Sequence, residues 1–179
     1  ADVSSATDED TAVEITLSGS DIDSSDLSYL VDENSSNGDV SITDNIAIFT
    51  PDLDFNGTTT FTYLVTDGEL TSSSATVTIT VNAVNDAPVL ATIDDQVIDE
   101  DGVLSLTLSG LDVDGDVLDY FAVVVGDASY VIENDVVTIT PDQDYYGSVD
   151  VTIAVSDGEY SDSQSFVLTI NPVNDAPVL

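Results

Sequence analysis

TDEDTAVEITLSGSDIDSSDLSY, residues 7–29, returns with the same pattern as IDEDGVLSLTLSGLDVDGDVLDY at residues 98–120. In the first stretch Val13, Ile15 and Leu17 alternate with polar residues; in the second Leu104, Leu106 and Leu108 do so. A period of two sends one set of side chains inward and the other outward, the pattern of a half-buried β-strand. In both stretches an acidic turn precedes this strand, and a D-x-D and a Tyr follow it.

The correspondence continues on either side. TPDLDFNG at 50–57 matches TPDQDYYG at 140–147, and FTYLVTDGE at 61–69 matches VTIAVSDGE at 151–159. VNDAPVL occurs word for word at 84–90 and 173–179. The copies lie 91 residues apart near their start and 89 apart at their end, so one or two small loop deletions separate them. A unit of about 90 residues is the scale of one domain in an array. The expected domains are residues 1–88 and 89–179.

Further alternating rows support strands throughout. They are Phe61, Tyr63 and Val65; Val151, Ile153 and Val155; and Val77, Ile79 and Val81. Asn37-Gly38, Asp67-Gly68, Gly126-Asp127 and Asp157-Gly158 mark turns between runs. No segment has a helical period. Seven strands per copy, A to G, are predicted; in the second copy they lie near 95–98, 103–109, 117–125, 129–132, 135–140, 149–156 and 163–170. The fold class is therefore all-β, two tandem seven-stranded Greek-key β-sandwiches. Tyr29 and Tyr120 are expected in the cores. Phe55, Tyr145 and Tyr146 are expected to plug a core end rather than form a sugar-stacking platform. Gly57 and Gly147 are expected to need a left-handed backbone.

The charge balance limits what such domains can do. The 179 residues include 36 Asp plus Glu and no Lys, Arg or His, a formal net charge of −36. Repulsion of this size opposes the compact state, so counter-ions must help the chain fold. A disordered acidic chain is excluded by the abundant, regularly spaced apolar residues. Without Cys or His there is no zinc, copper or haem site, and without His or Lys no base for a Ser nucleophile. Paired carboxylates are formally compatible with glycoside hydrolysis, but any chain this acidic offers such pairs, and no enzyme is expected. Nucleic acid and anionic membrane surfaces would be repelled, and no apolar run is long enough to span a bilayer.

The placement of the acids follows from the strand order. If every strand crosses the sandwich, the A–B, C–D and E–F loops share the lower end and the B–C, D–E and F–G loops the upper end. Asp8, Glu9, Asp10, Asp52 and Asp54 then collect at the lower end of copy one. Asn85 and Asp86 lie in the linker. Asp112, Asp114, Asp116 and Asp157 collect at the upper end of copy two. With no basic side chain, such convergence requires cations. The donors are all oxygens, which suits the six to eight oxygen ligands and tolerant geometry of Ca²⁺ better than the strict octahedron of Mg²⁺. Asp112-Val-Asp-Gly-Asp116 opens like an EF-hand loop, but Val123 stands where its twelfth-position Glu would be.

VNDAP after a TITV strand, a D-x-D after strand B and a D-G after strand F resemble the motifs of cadherin repeats. The sequence is more closely similar to the cadherin-like tandem repeats of large bacterial surface adhesins and biofilm proteins, over nearly all of both copies. The resemblance implies Ca²⁺ between successive repeats. Its ligands would be Glu9, Asp52 and Asp54 from copy one, Asn85, Asp86 and the carbonyl of Ala87 from the linker, and Asp112, Asp114 and Asp157 from copy two. Asp8 and Asp10 would face solvent beside Glu9, and Glu69 and Glu159 would only flank the F–G turns. Outer sites would comprise Asp21, Asp23 and Asp67 in copy one and Glu100, Asp142, Asp144, Asn174 and Asp175 in copy two. Lacking neighbouring repeats, these are expected to be weaker or completed by water. Two departures from the cadherin pattern, Ala83 and Pro172 where an acid is usual and Asp52-Leu-Asp54 in the E–F loop, point to two ions rather than three, or to added water.

Ca²⁺-binding extender repeats of an extracellular, cell-surface adhesin are thus the expected function, in a salty, calcium-rich setting such as seawater. The fragment is expected to be monomeric and cut from a longer array, its first copy beginning partway into strand A, with neighbouring repeats as its partners. Pro88 and Pro177 should enforce an extended exit from each linker. The rival readings are a module that binds polysaccharide or a partner repeat, and an accessory domain of a large secreted enzyme. Asn34-Ser-Ser and Asn56-Gly-Thr fit glycosylation acceptors by coincidence.

Overall fold

The computed structural model describes residues 2–176. Pro177, and with it the second extended exit, lies outside them. The chain divides into two compact units, residues 1–84 and 85–179. The Asn-Asp pair of the linker therefore belongs to the second unit.

The first unit contains seven strands: β1 (Val3–Asp8), β2 (Val13–Thr16), β3 (Ser28–Glu33), β4 (Gly38–Thr43), β5 (Ile46–Pro51), β6 (Gly57–Thr66) and β7 (Ala75–Asn82). They form a four-stranded sheet in the order β1-β7-β6-β3 and a three-stranded sheet in the order β2-β5-β4. β1 runs parallel to β7, in register from Val3↔Val77 to Asp8↔Asn82, and the other pairings are antiparallel. A first strand that crosses over to pair with the last gives the Greek-key connection.

Alternation explains the core. Ile15 and Leu17 point inward, as do Ala47 and Phe49 from β5, Phe61 and Tyr63 from β6, and Val77, Ile79 and Val81 from β7. Phe49, Val77 and Ile79 are fully enclosed. Full burial of such a side chain contributes about 1.5–3 kcal/mol. Tyr29 and Phe55 pack against this cluster from its margin.

The second unit repeats the plan with two additions. Its strands are β8 (Val89–Leu90), β9 (Gln96–Asp99), β10 (Leu104–Thr107), β11 (Gly110–Leu111), β12 (Asp119–Val125), β13 (Ala128–Glu133), β14 (Val136–Pro141), β15 (Gly147–Ser156) and β16 (Ser161–Asn171). The sheets run β12-β15-β16-β9 and β10-β14-β13, with β9 parallel to β16. The additions, β8 and β11, pair only with each other, through Leu90↔Gly110 and Val89↔Leu111. Leu90 thereby joins the core beside Val155, Phe166 and Leu168. Tyr120 and Tyr145 pack on that core, but Tyr146 is 63% exposed, so it plugs nothing and the expectation for it is corrected. Its neighbour Tyr145 takes the inward place where the chain enters β15, and period two then turns Tyr146 outward.

The edge strands differ. β3 carries a register shift between Val31 and Glu33, which breaks its ladder with β6. β12 pairs with β15 through seven residues without a shift. A bulge and charged residues on an edge discourage pairing with other chains; β3 has both, whereas β12 runs uncharged from Tyr120 to Val125.

Candidate metal centres

At the lower end of the first unit, the turn after β1 meets the loop between β5 and β6. The backbone forces this. Asp10 and Asp54 both adopt left-handed φ, 56° and 55°, a conformation that Asp tolerates better than most residues. The Asp54 amide then donates to Asp10 Oδ1 at 3.1 Å. Gly57, with φ 131°, carries the chain into β6 as expected. The reading of Asp10 as a bystander is therefore incomplete: it is exposed, yet it ties the two acidic loops together.

Glu9 is the more telling residue. Its amide continues the ladder to the Asn82 carbonyl at 2.9 Å, which turns its side chain under the sheet. There it is 4% exposed, and Oε1 accepts the Val84 amide. The second unit reproduces this arrangement. The Glu100 amide donates to the Asn171 carbonyl, and Glu100, 7% exposed, accepts the Val173 amide. Glu9 and Glu100 are the buried charged residues among those described. A buried carboxylate needs a compensating cation, a metal or protonation, and no side chain in this sequence supplies the first.

The lower end of the second unit also repeats the left-handed pair, Asp101 at φ 63° and Asp144 at φ 56°. Carboxylate oxygens of Asp101, Asp144 and Asp175 lie within 4.8 Å of one another. Asp142 opens the same loop, its carbonyl accepting the Tyr145 amide at 3.1 Å, as Asp52 does for Phe55. Asn174 is exposed and donates to the Asp175 carbonyl. Sequence reasoning missed Asp101. Its signal was present in the alignment of Asp101 with Asp10, but which of three successive acids turns toward the neighbouring loop depends on a left-handed residue that no periodicity reveals.

At the upper end of the second unit the linker docks on the D-x-D loop. Asn85 donates to Asp157 Oδ2 at 2.9 Å, and the Asp86 amide donates to Asp114 Oδ2 at 2.8 Å. Asp112 Oδ1 accepts the amides of Asp114 and Asp116 at 3.0 and 3.2 Å. Its Oδ2 is shut off from solvent without a hydrogen-bond partner. Oxygens of Asp112, Asp114 and Asp116 converge within 4.8 Å. Asp116, noted as an acid of this loop but left out of the ligand set, thus belongs with it. Ala87 follows, exposed, and Pro88 is buried.

Asp157 caps its own turn, Oδ1 accepting the Glu159 and Tyr160 amides at 2.6 Å each. Burial pushes its carboxyl up, but the Asn85 amide and these two N–H groups outweigh it and hold the group below its ordinary value. In the first unit Asp67 accepts the Leu70 and Glu69 amides, which lower it likewise. Asp21 is lowered by the Asp23 amide, then by the Asp23 side chain and the Ser24 amide; Asp23 is raised by its side-chain contact with Asp21. Glu69 and Glu159 contribute only backbone amides to these turns.

Every donor at these ends is an oxygen, and most are carboxylates. That set matches a hard divalent cation with many oxygen ligands. The partnerless Asp112 Oδ2 and the buried Glu9 and Glu100 are where such a charge would be compensated.

Comparison with known proteins agrees with the fold. The family described as Bacterial Ig domain matches residues 1–80 and again 85–170. No curated protein matches. Among solved structures, human mucin-like protocadherin EC1-2 is 19% identical with a TM-score of 0.57, covering 96% of both chains. Protocadherin gamma B2 is similar through its extracellular cadherin domains 3–6 (17% identity, TM-score 0.62) and 1–5 (18%, 0.61). The chain spans 47% and 38% of those two chains while 99% and 97% of it is covered. At these identities the likeness concerns the fold, a two-domain cadherin-like sandwich pair.

Proposed function

The chain belongs to the bacterial Ig domain family, and from that premise we propose that its two units are calcium-binding extender repeats of a cell-surface or secreted bacterial adhesin. Ig-like and cadherin-like domains of this kind are typically extracellular and non-catalytic. No helix among the described residues is long and apolar enough to cross a membrane. The observation that carries the reading is the buried Glu9, repeated as Glu100, in a sequence with no cationic side chain.

Chain continuity gives these acids a mechanical role. Glu9 grips Val84 in the first unit; Val84 is bonded covalently to Asn85, which Asp157 grips in the second. Calcium bound by the acids around these residues would couple each repeat to the next and stiffen the linker. Glu9, Asp52, Asp54 and the added Asp10 would serve from one side. Asn85, Asp86, Ala87, Asp112, Asp114, Asp157 and the added Asp116 would serve from the other. Neighbouring repeats of the same array are then the partners. Extracellular calcium sites often have Kd near 10⁻⁴–10⁻³ M, and a hundredfold excess over Kd stabilises the bound state by about 2.7 kcal/mol.

The test is calcium titration with melting and small-angle scattering measured on the same samples. Melting should rise and the particle lengthen as calcium is added, and a chelator should reverse both. Melting and dimensions indifferent to calcium would end the proposal. A second reading has one observation in its favour: Phe121, Tyr130, Tyr146 and Tyr160, all in the second unit, are 54%, 44%, 63% and 46% exposed. Exposed aromatics are what a polysaccharide-binding face needs, and a glycan array at fixed calcium decides whether they serve one.

A further inference from the structure

Two edge strands of the second unit lie side by side, β12 from one sheet and β13 from the other, joined through Gly126-Asp127. β12 has a ladder with β15 only, so its other side offers unpaired backbone N–H and C=O groups. Period two turns Phe121, Val123 and Val125 to the outer face, where they are 54%, 59% and 63% exposed; Tyr120 and Val124 pack on the core and Ala122 is buried in it. On β13, Tyr130 opposes the enclosed Ile139 and so shares its inward face, yet it is 44% exposed. The seam between the two edge strands does not close over it.

The first unit shows how such an edge is guarded. With Tyr29 aligned on Tyr120, Leu30 stands where Phe121 stands, but Asp32 and Glu33 stand where Val123 and Val124 stand, and β3 shifts register there. β12 has no shift, and residues 120–126 hold no carboxylate in a chain that is 20% charged, all of it acidic. Two copies of so acidic a chain repel one another almost wherever they touch. This edge is a place where they can meet without setting carboxylate against carboxylate.

We propose that β12 pairs antiparallel with β12 of a second copy about a two-fold axis, fusing two four-stranded sheets into one. A two-fold centred on Ala122 sets Phe121 against Val123 of the other copy and Asp119 against Val125. A centre at Val123 would oppose Asp119 to Asp127, and like charges directly opposite are destabilising, so the first register is selected. The interface is isologous and closed. Phe121, Val123, Val125 and Tyr130 leave on the order of 500 Å² exposed on each copy, so the pair buries at most on the order of 1,000 Å², the lower end for specific association. The dimer is therefore weak, and it strengthens as salt screens the repulsion, the Debye length falling to about 3 Å at 1 M. Where several such units follow one another, the contact repeats and draws whole chains together sideways.

The proposal is independent of the calcium reading, and a chelator throughout keeps the two apart. The full chain is sedimented over a wide concentration range in 1 M and in dilute sodium chloride. A monomer–dimer equilibrium is expected, tighter at high salt. Val123→Asp, which writes the guarded edge of the first unit into the second, should weaken it at least about tenfold. Leu30→Asp, the matching change on β3, should leave it unchanged. Amide exchange within residues 119–125 should slow as concentration rises while residues 28–33 keep their rates; the dispersed NMR spectrum of each variant shows that it is folded. A chain that stays monomeric overturns the proposal, as does association that survives Val123→Asp, that Leu30→Asp reduces equally, or that leaves exchange in β12 unaltered.

Discussion

The two units share their acidic ends more faithfully than their flanks. Glu9 and Glu100 lie under the same strand, hold the same backbone amide and are buried alike. The left-handed pairs Asp10/Asp54 and Asp101/Asp144 match within a few degrees. Elsewhere the copies diverge. One has a bulged edge at β3, the other a straight β12; among the described residues the exposed aromatics lie in the second. Acid geometry persists where side chains are free to drift, so the ends carry the shared task and the flanks what is particular to each unit.

The largest expected effect breaks the comparison at its core. Phe49→Ala should cost about 3–5 kcal/mol, because the enclosed ring leaves a cavity. It should unfold the first unit while the second keeps its dispersed NMR spectrum; joint loss would mean that the two fold as one. Leu90→Ala should cost about 2–5 kcal/mol in the second unit, whose core its side chain joins. Calorimetry that resolves two transitions should show the upper or the lower one move, not both.

Smaller effects sharpen the comparison. Glu9→Gln and Glu100→Gln should each weaken calcium binding. In chelator the same changes should stabilise their units by about 1–3 kcal/mol, because an amide still accepts the Val84 or Val173 amide and no longer buries a charge. Melting with and without calcium tests the change of sign, and destabilisation under both conditions would refute it. Asp112→Asn should remove calcium-dependent stabilisation without disturbing its loop, since its amide oxygen can still accept from Asp114 and Asp116; isothermal titration reads the loss.

The smallest effect is electrostatic. Asp67 and Asp157 are held below the ordinary value of 3.8 in the fold, so the unfolded chain takes up protons first. Their contribution is complete above that value and fades as pH falls through the lower folded one. Asp23 runs the other way: it is raised, and its contribution is present below 3.8 and lost as pH rises through the folded value. Carboxyl ¹³C titration should place Asp67 and Asp157 below 3.8 and Asp23 above it. Solvent screening keeps the effect on melting slight.

Much of this was legible in the sequence. Alternation located seven of the nine strands of the second unit to within a few residues, because burial of one face imposes a period of two. The gathering of acids at strand ends followed from strand direction alone. What escaped had other causes. β8 and β11, two residues each, are too short for any period to register. Asp101 was overlooked, and Asp10 was read only as a solvent-facing neighbour of Glu9, because left-handed backbone at an Asp leaves no compositional mark. Tyr146 was misassigned because two adjacent aromatics cannot both face inward, and the sequence does not say which one does.

One feature of the topology bears on load. β1 lies parallel to β7 over six registered residue pairs, and β9 to β16 over four. The entry of each unit and its exit are thus neighbouring strands that point the same way. Tension applied through the two ends must slide one strand along the other and strain the whole ladder at once, instead of peeling bonds singly. A tether subjected to flow would yield last where its first and last strands are sheared together.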